Sequence, residues 1–135
     1  MPADTGPGGG SPGLTERVRS ALESGDLSDI GDLLDPDARW GAPNGPGTAD
    51  CRSRDQIVAW WAAARAAGAR AAVTEVTAGA GALLVGLAVT GIPAASEAGG
   101  TVERWQVLTV RNGRISDIRG FPSRPEAAER AGVRA

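Results

Sequence analysis

The sequence contains no histidine, no lysine and no tyrosine, and only one cysteine among its 135 residues. Without histidine there is no Ser-His-Asp or Cys-His catalysis and no imidazole metal ligand, and without lysine there is no Schiff base. A G-x-G-x-x-G match occurs at Gly8–Gly13, but it lies in a glycine-rich stretch that follows no predicted strand, and without lysine there is no P-loop pattern. We therefore expect neither a cofactor nor a bound metal. One cysteine excludes an intrachain disulfide and is typical of a reducing compartment, so we expect a cytoplasmic protein.

The charge balance is close to neutral, with 14 basic residues, all of them arginine, against 16 acidic ones and a net charge of −2. This is not the basic excess typical of a nucleic-acid-binding protein. The longest apolar run, Ala82–Val89, is too short to span a bilayer. The residues after Met1 show no basic and apolar segments of a secretory signal. We expect no nucleic-acid partner and no membrane partner.

Residues 1–13 are mostly glycine, proline and small polar residues. Such a segment cannot bury enough apolar area to offset the entropy lost on ordering, so it predicts a disordered tail. The following residues, 14–132, are enough for one domain with its own core.

The stretch Thr101–Phe121 predicts a β-hairpin around which the rest of the chain is organised. Two alternating apolar runs are joined at Asn112-Gly113. Asn-Gly between such runs is the strongest short-range hairpin signal, because both residues tolerate a positive φ.

Apolar spacing predicts three helices in the first half of the chain: Leu14–Ser24, Asp26–Asp35 and a helix from Ser53 to about Ala67. Asp26 is the predicted N-cap of the second helix and Pro36 is expected to end it, and Ser53-x-x-Gln56 is a capping box for the third. The core-facing side of the third helix is predicted to comprise Ile57, Trp60, Trp61 and Ala64.

Three further strands are predicted at Asp37–Pro43, Ala71–Ala78 and Ala82–Thr90, and the last has no polar residue before Thr90, which fits burial on both faces. Gly91–Gly100 is predicted to be a loop, and Pro125–Ala131 a short helix after Ser123-x-x-Glu126. Helices that precede a run of strands indicate an α+β fold, with the helices on one face of a curved, antiparallel or mixed sheet.

This order of elements resembles the nuclear transport factor 2-like superfamily, which includes the ketosteroid isomerases and the SnoaL-like polyketide cyclases. The matching stretches are SALESGDLSDIGDLLDPDARWGAP, SRDQIVAWW and VLTVRNGRISDIRGF. The resemblance covers about residues 14–132 and implies a SnoaL-like domain with a cone-shaped, cystatin-like fold, in which a bent sheet wraps the N-terminal helices around an internal apolar pocket. Members of the superfamily include enzymes, binding modules and association domains, so the fold alone does not give the function.

The resemblance to the ketosteroid isomerases places their catalytic tyrosine and two aspartates at Val18, Ala42 and Gln106. All three are replaced. Valine cannot donate a hydrogen bond to an oxyanion, and alanine cannot accept a proton. The resemblance therefore implies that the isomerase machinery is missing.

The same resemblance places Trp40 and Trp61 on the pocket wall, where an indole can stack on a ring-bearing ligand and offer one N–H donor. The alternative for a tryptophan is to fill core volume, which we expect of Trp60. Gln106 in the same wall would need a hydrogen-bond partner or a ligand. The expected ligand-binding residues are Trp40, Trp61, Gln106, Val18, Ala42 and Phe121.

Three carboxylates on predicted strands are candidate acids or bases: Glu75, Glu103 and Asp117. A carboxylate that points into an apolar cone would have a raised pKa. The alternative is that they lie on the outer surface. There they would pair with Arg104, Arg114 or Arg119.

Two functions are consistent with these residues. The first is a binding or accessory module for a small hydrophobic molecule. The alternative is a small-molecule enzyme of the polyketide cyclase, epoxide hydrolase or dehydratase type that uses a pocket carboxylate.

We also expect a homodimer, because strand alternation places Trp105 and Val107 on the outer face of the sheet, and exposed apolar patches usually mark interfaces.

The missing isomerase residues generate the first prediction. The protein should not isomerise a 5-ene-3-ketosteroid, because Val18, Ala42 and Gln106 supply neither the proton donor nor the base. The measurement is the absorbance of the conjugated enone product, with a ketosteroid isomerase as the positive control. Turnover at rates typical of enzymes, about 1 per second or more, would contradict it.

Overall fold

The computed structural model describes residues 13–41, 53–97 and 99–133. Five helices occur in this part of the chain. They are α1 (Leu14–Ser24), α2 (Leu27–Leu33), α3 (Arg54–Ala66), α4 (Pro93–Glu97) and α5 (Arg124–Ala131).

The described residues also contain five strands, which form one sheet in the order β1-β5-β4-β3-β2. The β1–β5 pair is parallel and the other pairs are antiparallel, so the curved, unclosed sheet is mixed. The fold is α+β, as predicted. The strands are β1 (Leu34–Gly41), β2 (Arg70–Ala78), β3 (Ala82–Thr90), β4 (Val102–Arg111) and β5 (Arg114–Phe121).

The predicted hairpin is the β4–β5 pair. Asn112 and Gly113 at its tip have φ values of +54° and +77°. Both lie in the left-handed region that a two-residue hairpin turn requires, which explains the Asn-Gly pair.

The helix caps agree well with the sequence prediction. The Asp26 carboxylate accepts hydrogen bonds from the backbone N–H groups of Ser28 and Asp29, and the Ser53 hydroxyl accepts one from the N–H of Gln56. The cap of α5 differs from the predicted box, because the Ser123 hydroxyl donates to the Glu126 carboxylate rather than accepting from the backbone.

Two sequence predictions of secondary structure were wrong. The chain enters β1 at Leu34, before Pro36, because the Leu34 side chain is buried in the core and its backbone is already extended. Pro36 is tolerated there since β1 is an edge strand, and its register with β5 shifts between Leu34 and Arg39. The predicted loop Gly91–Gly100 contains the single-turn helix α4.

Strand β3 is buried on both faces, as predicted, and it separates two apolar layers. On the inner face, Leu83, Val85 and Leu87 pack with α1, α2 and α3 in the main core. On the outer face, Ala82 and Leu84 pack with Val107 against the alanines of α5.

Helix α5 therefore covers part of the outer face. Val107 is buried beneath it and Trp105 is half-buried beside it. The expected alternation along β4 is present, with Trp105 and Val107 outside and Leu108 in the inner core. The homodimer stays a prediction, and its partner would meet Trp105 next to α5 rather than a bare sheet.

None of the helices in the described ranges is long and apolar enough to cross a membrane. Residues 1–12 of the predicted tail and residues 42–52, which include Ala42, lie outside the described residues.

The second prediction concerns Gly86, which pairs with Trp105 across the β3–β4 ladder. A Cβ at Gly86 would lie 2.5 Å from Cζ3 of Trp105 and 2.7 Å from Oγ1 of Thr74, so the indole occupies most of the space of the missing side chain. Gly86→Ala should destabilise the fold by about 1–3 kcal/mol through overpacking. The measurement is urea unfolding followed by circular dichroism.

Trp105→Ala provides the control, because it removes the obstructing ring. Gly86→Ala should cost clearly less in the Trp105→Ala background than in the wild type. Equal costs in the two backgrounds would show that the indole is not the obstacle.

Candidate functional site

A cleft of about 410 Å³ opens between α3 and the inner face of the sheet, at the end where β3 and β5 finish and β2 and β4 begin. Its size falls within the range of pockets that hold small molecules, about 300–1,000 Å³. We call it the tryptophan cleft. Its walls include Trp40, Trp60, Trp61, Leu87, Val89 and Ile92.

Three indoles meet in this cleft. The Trp40 ring centroid lies 4.7 Å from that of Trp60, with the planes at 75°, and 5.8 Å from that of Trp61, with the planes at 39°. Both separations are typical of favourable aromatic pairs. The indoles of Trp40 and Trp61 thus form one continuous aromatic wall.

The prediction that Trp60 fills the core was wrong. Trp60 is 53% exposed, whereas Ile57 on the same helix is fully buried. The reason is its position at the edge of the apolar stripe of α3, where Ile57, Trp61 and Ala64 occupy the centre at a spacing of three to four residues. Trp60 instead packs edge-on against Trp40.

Gln106 projects from β4 into the same cleft. It also borders a small cavity of about 20 Å³, with room for roughly one water molecule. No described residue forms a hydrogen bond with its side-chain amide. This half-buried amide therefore has both donors and its acceptor available.

Three arginines complete the lining: Arg65, Arg70 and Arg104. Among the described residues that line the cleft there is no carboxylate. The sequence prediction did not include these arginines among the site residues. For Arg104 the sequence did carry a signal, because every second residue of a strand faces the same side and Arg104 lies two residues before Gln106.

The three candidate carboxylates all lie on the outer face. Side chains along a strand point alternately to the two faces of the sheet, and Val107 points to the outer face. The three carboxylates occupy positions on the same face as Val107. The strand registers show this, since they align Glu75 with Gly86, Glu103 with Ala88 and Asp117 with Thr109. In the described ranges, no group of three or more potential metal ligands occurs.

Two of these carboxylates form ion pairs. Asp117 accepts hydrogen bonds of 2.9 and 3.1 Å from the guanidinium of Arg119, one of its expected partners. Glu75 is held by Arg124 of α5 in a two-point contact, with N–O distances of 2.8 and 2.7 Å, and accepts a third hydrogen bond from the Thr77 hydroxyl.

These contacts reverse the pKa shift expected for a pocket carboxylate. The hydrogen bonds from Arg124 lower the pKa of the Glu75 carboxyl from 4.5 to about 2, since they stabilise its charged form more than partial burial opposes it. A carboxylate that stays ionised near neutral pH is unsuited to donating a proton. Glu75 is better described as a tether between β2 and α5.

Three other expected site residues lie in different places. Val18 is buried in the core and borders the small cavity of about 20 Å³ rather than the cleft. Phe121 packs in the outer layer with α5 and also borders the cleft. Ala42 lies outside the described residues.

A family model described as the SnoaL-like domain matches residues 15–118. The chain belongs to the SnoaL-like domain family. The match spans α1 to most of β5, and so includes the tryptophans and arginines of the tryptophan cleft but not its lining residues Gly120, Phe121 and Pro122. No curated protein matches this SnoaL-like chain in sequence.

Solved structures share the fold of this SnoaL-like domain. A candidate polyketide cyclase from Sinorhizobium meliloti is 25% identical, with a TM-score of 0.63 over 82% of this chain and 95% of that one. An uncharacterized cystatin-fold protein from Novosphingobium aromaticivorans is 15% identical, with a TM-score of 0.66 over 82% and 99%. A candidate ketosteroid isomerase from Kribbella flavida is 17% identical, with a TM-score of 0.64 over 80% and 73%. The last two similarities concern the fold alone.

The third prediction concerns Glu75. Glu75→Gln should lower the melting temperature by a few degrees near neutral pH, because it removes the charge that Arg124 binds. Since the folded-state pKa of Glu75 is depressed, its stabilisation is present above pH 4.5 and is lost as the pH falls towards about 2. The difference between variant and wild type should therefore shrink over this range.

Differential scanning fluorimetry across the pH range measures this difference. Glu103→Gln is the matched control, since Glu103 is exposed on the same outer face. It should leave the melting temperature nearly unchanged at every pH. A difference for Glu75→Gln that persists at pH 2 would contradict the assignment.

Proposed function

We propose that this SnoaL-like domain binds a small hydrophobic molecule in the tryptophan cleft. The observation that carries the proposal is the wall formed by Trp40 and Trp61, whose ring centroids lie 5.8 Å apart in a cleft of about 410 Å³. Indoles arranged in this way offer a large, rigid apolar surface to a planar ligand. The lining also includes the aliphatic side chains of Leu87 and Val89 from β3.

Gln106 supports the proposal from the polar side. The Gln106 amide is half-buried and has no partner among the described residues, so it is available to hydrogen-bond a ligand. Ligand pockets in proteins commonly combine apolar walls with a few such polar groups, which orient the ligand. Gln106 would orient the ligand, and the indoles would supply most of the contact area.

The alternative is an enzyme of the polyketide cyclase, epoxide hydrolase or dehydratase type. The similarity to the candidate polyketide cyclase from Sinorhizobium meliloti favours it. The positions of Glu75, Glu103 and Asp117 count against the mechanism expected for it, because a general acid or base must reach the bound substrate. Binding without that carboxylate chemistry is therefore the function that the cleft supports better.

The fourth prediction tests the site with the uncharged two-ring probe 2-naphthamide in isothermal titration calorimetry. Trp61→Ala should weaken binding of this probe about tenfold or more, because it removes an aromatic contact and the apolar area of the indole. The wild type should bind the probe measurably.

Leu84→Ala is the matched control, since Leu84 is fully buried on the outer face and does not line the cleft. It should cost stability, about 2–5 kcal/mol, while the affinity of the folded protein stays unchanged. Each variant is first shown to be folded by circular dichroism. Equal affinities of Trp61→Ala and wild type would place the binding outside the cleft.

A further inference from the structure

The charged groups that the described residues contribute to the tryptophan cleft are all of one sign. Arg65, Arg70 and Arg104 line it, and no carboxylate does so among the described residues. The protein as a whole carries a net charge of −2. A cleft with charges of one sign between low-dielectric walls concentrates the electric field and attracts ligands of the opposite charge.

Two of the three guanidinium groups have neighbours within the protein. Arg70 donates hydrogen bonds to the backbone carbonyls of Arg65 and Ala69, at 3.0 and 2.7 Å. The guanidinium of Arg65 lies against Gly25, so closely that a Cβ there would be 2.5 Å from its Nη1 atom. Both groups add positive potential, but their positions depend on these local contacts.

Arg104 differs from the other two. It lies on β4 opposite Leu87 and is exposed at the cleft, and no described residue forms an ion pair or a hydrogen bond with its guanidinium. It shares the inner face of β4 with Gln106, two residues further along, a separation of about 7 Å. The Arg104 guanidinium and the Gln106 amide, both without partners among the described residues, therefore face the same space, beside the indoles.

We propose that the ligand of the cleft is an aromatic carboxylate. Its ring system packs against Trp40 and Trp61, and its carboxylate accepts hydrogen bonds from the Arg104 guanidinium and the Gln106 amide. The planar guanidinium fork matches a carboxylate in geometry and charge, and such charge-assisted bonds are about twice as strong as neutral ones. This inference rests on the proposed function and specifies the chemical class of the ligand.

The experiment compares two probes with the same rings, 2-naphthoate and 2-naphthamide, by isothermal titration calorimetry near neutral pH. The wild type should bind 2-naphthoate about tenfold or more tightly, because only the carboxylate forms the charged pair with Arg104. Arg104→Gln should abolish this preference, so that the variant binds 2-naphthoate no more tightly than 2-naphthamide. Arg104→Lys should retain part of the preference, since it keeps the charge but loses the planar fork.

Arg111→Gln is the matched control, because Arg111 is an exposed arginine of the same strand that lies outside the cleft lining. It changes the net charge equally and should keep the full preference. Raising the salt concentration should reduce the preference of the wild type by screening the exposed Arg104.

Each contrary outcome has a distinct meaning. Equal binding of the two probes by the wild type, or a preference that survives in Arg104→Gln, would overturn the inference that the ligand is an aromatic carboxylate. The cleft would remain a binding site. Loss of the preference in Arg111→Gln as well would assign it to net charge and also overturn the inference. Failure of both probes to bind would overturn the inference together with the proposed function.

Discussion

The burial of β3 on both faces is the constraint on which the rest of the structure depends. Its odd-numbered residues Leu83, Val85 and Leu87 join the core beneath the N-terminal helices, and the even-numbered Ala82 and Leu84 join the layer under α5. Because β4 pairs with β3 in a regular antiparallel register, the same division extends along β4. One apolar strand thus sets which side chains of its neighbours face which layer.

This division also sorts the polar groups of the sheet. Glu75 and Asp117 face outward, where arginines neutralise them and where Glu75 fastens α5 to β2. Arg104 and Gln106 face inward, without partners among the described residues, beside the paired indoles. The outer ion pairs therefore serve packing, whereas the inner groups remain available to a ligand. A shift of β4 by one residue would exchange these roles.

The membership of the SnoaL-like family accounts for the architecture but not for the chemistry, since related folds carry unrelated functions. The chemistry follows from the side chains at the open end of the sheet. There the chain combines an aromatic wall, a neutral amide and positive charges, and the described lining has no group suited to accepting a proton. That composition favours recognition of a ligand over its transformation by a carboxylate.

Much of this was determined by the sequence itself. The Asn112-Gly113 turn, the caps at Asp26 and Ser53 and the two-sided strand β3 depend on local backbone preferences and apolar periods, which the sequence carries directly.

Other features required the tertiary structure. Entry into β1 at Leu34 depends on pairing with a strand about 80 residues further along the chain, and the exposure of Trp60 depends on where α3 meets the sheet. The low pKa of Glu75 depends on Arg124, 49 residues away. Contacts between residues so distant in sequence are decided only when the chain is folded, because no local period or propensity encodes them.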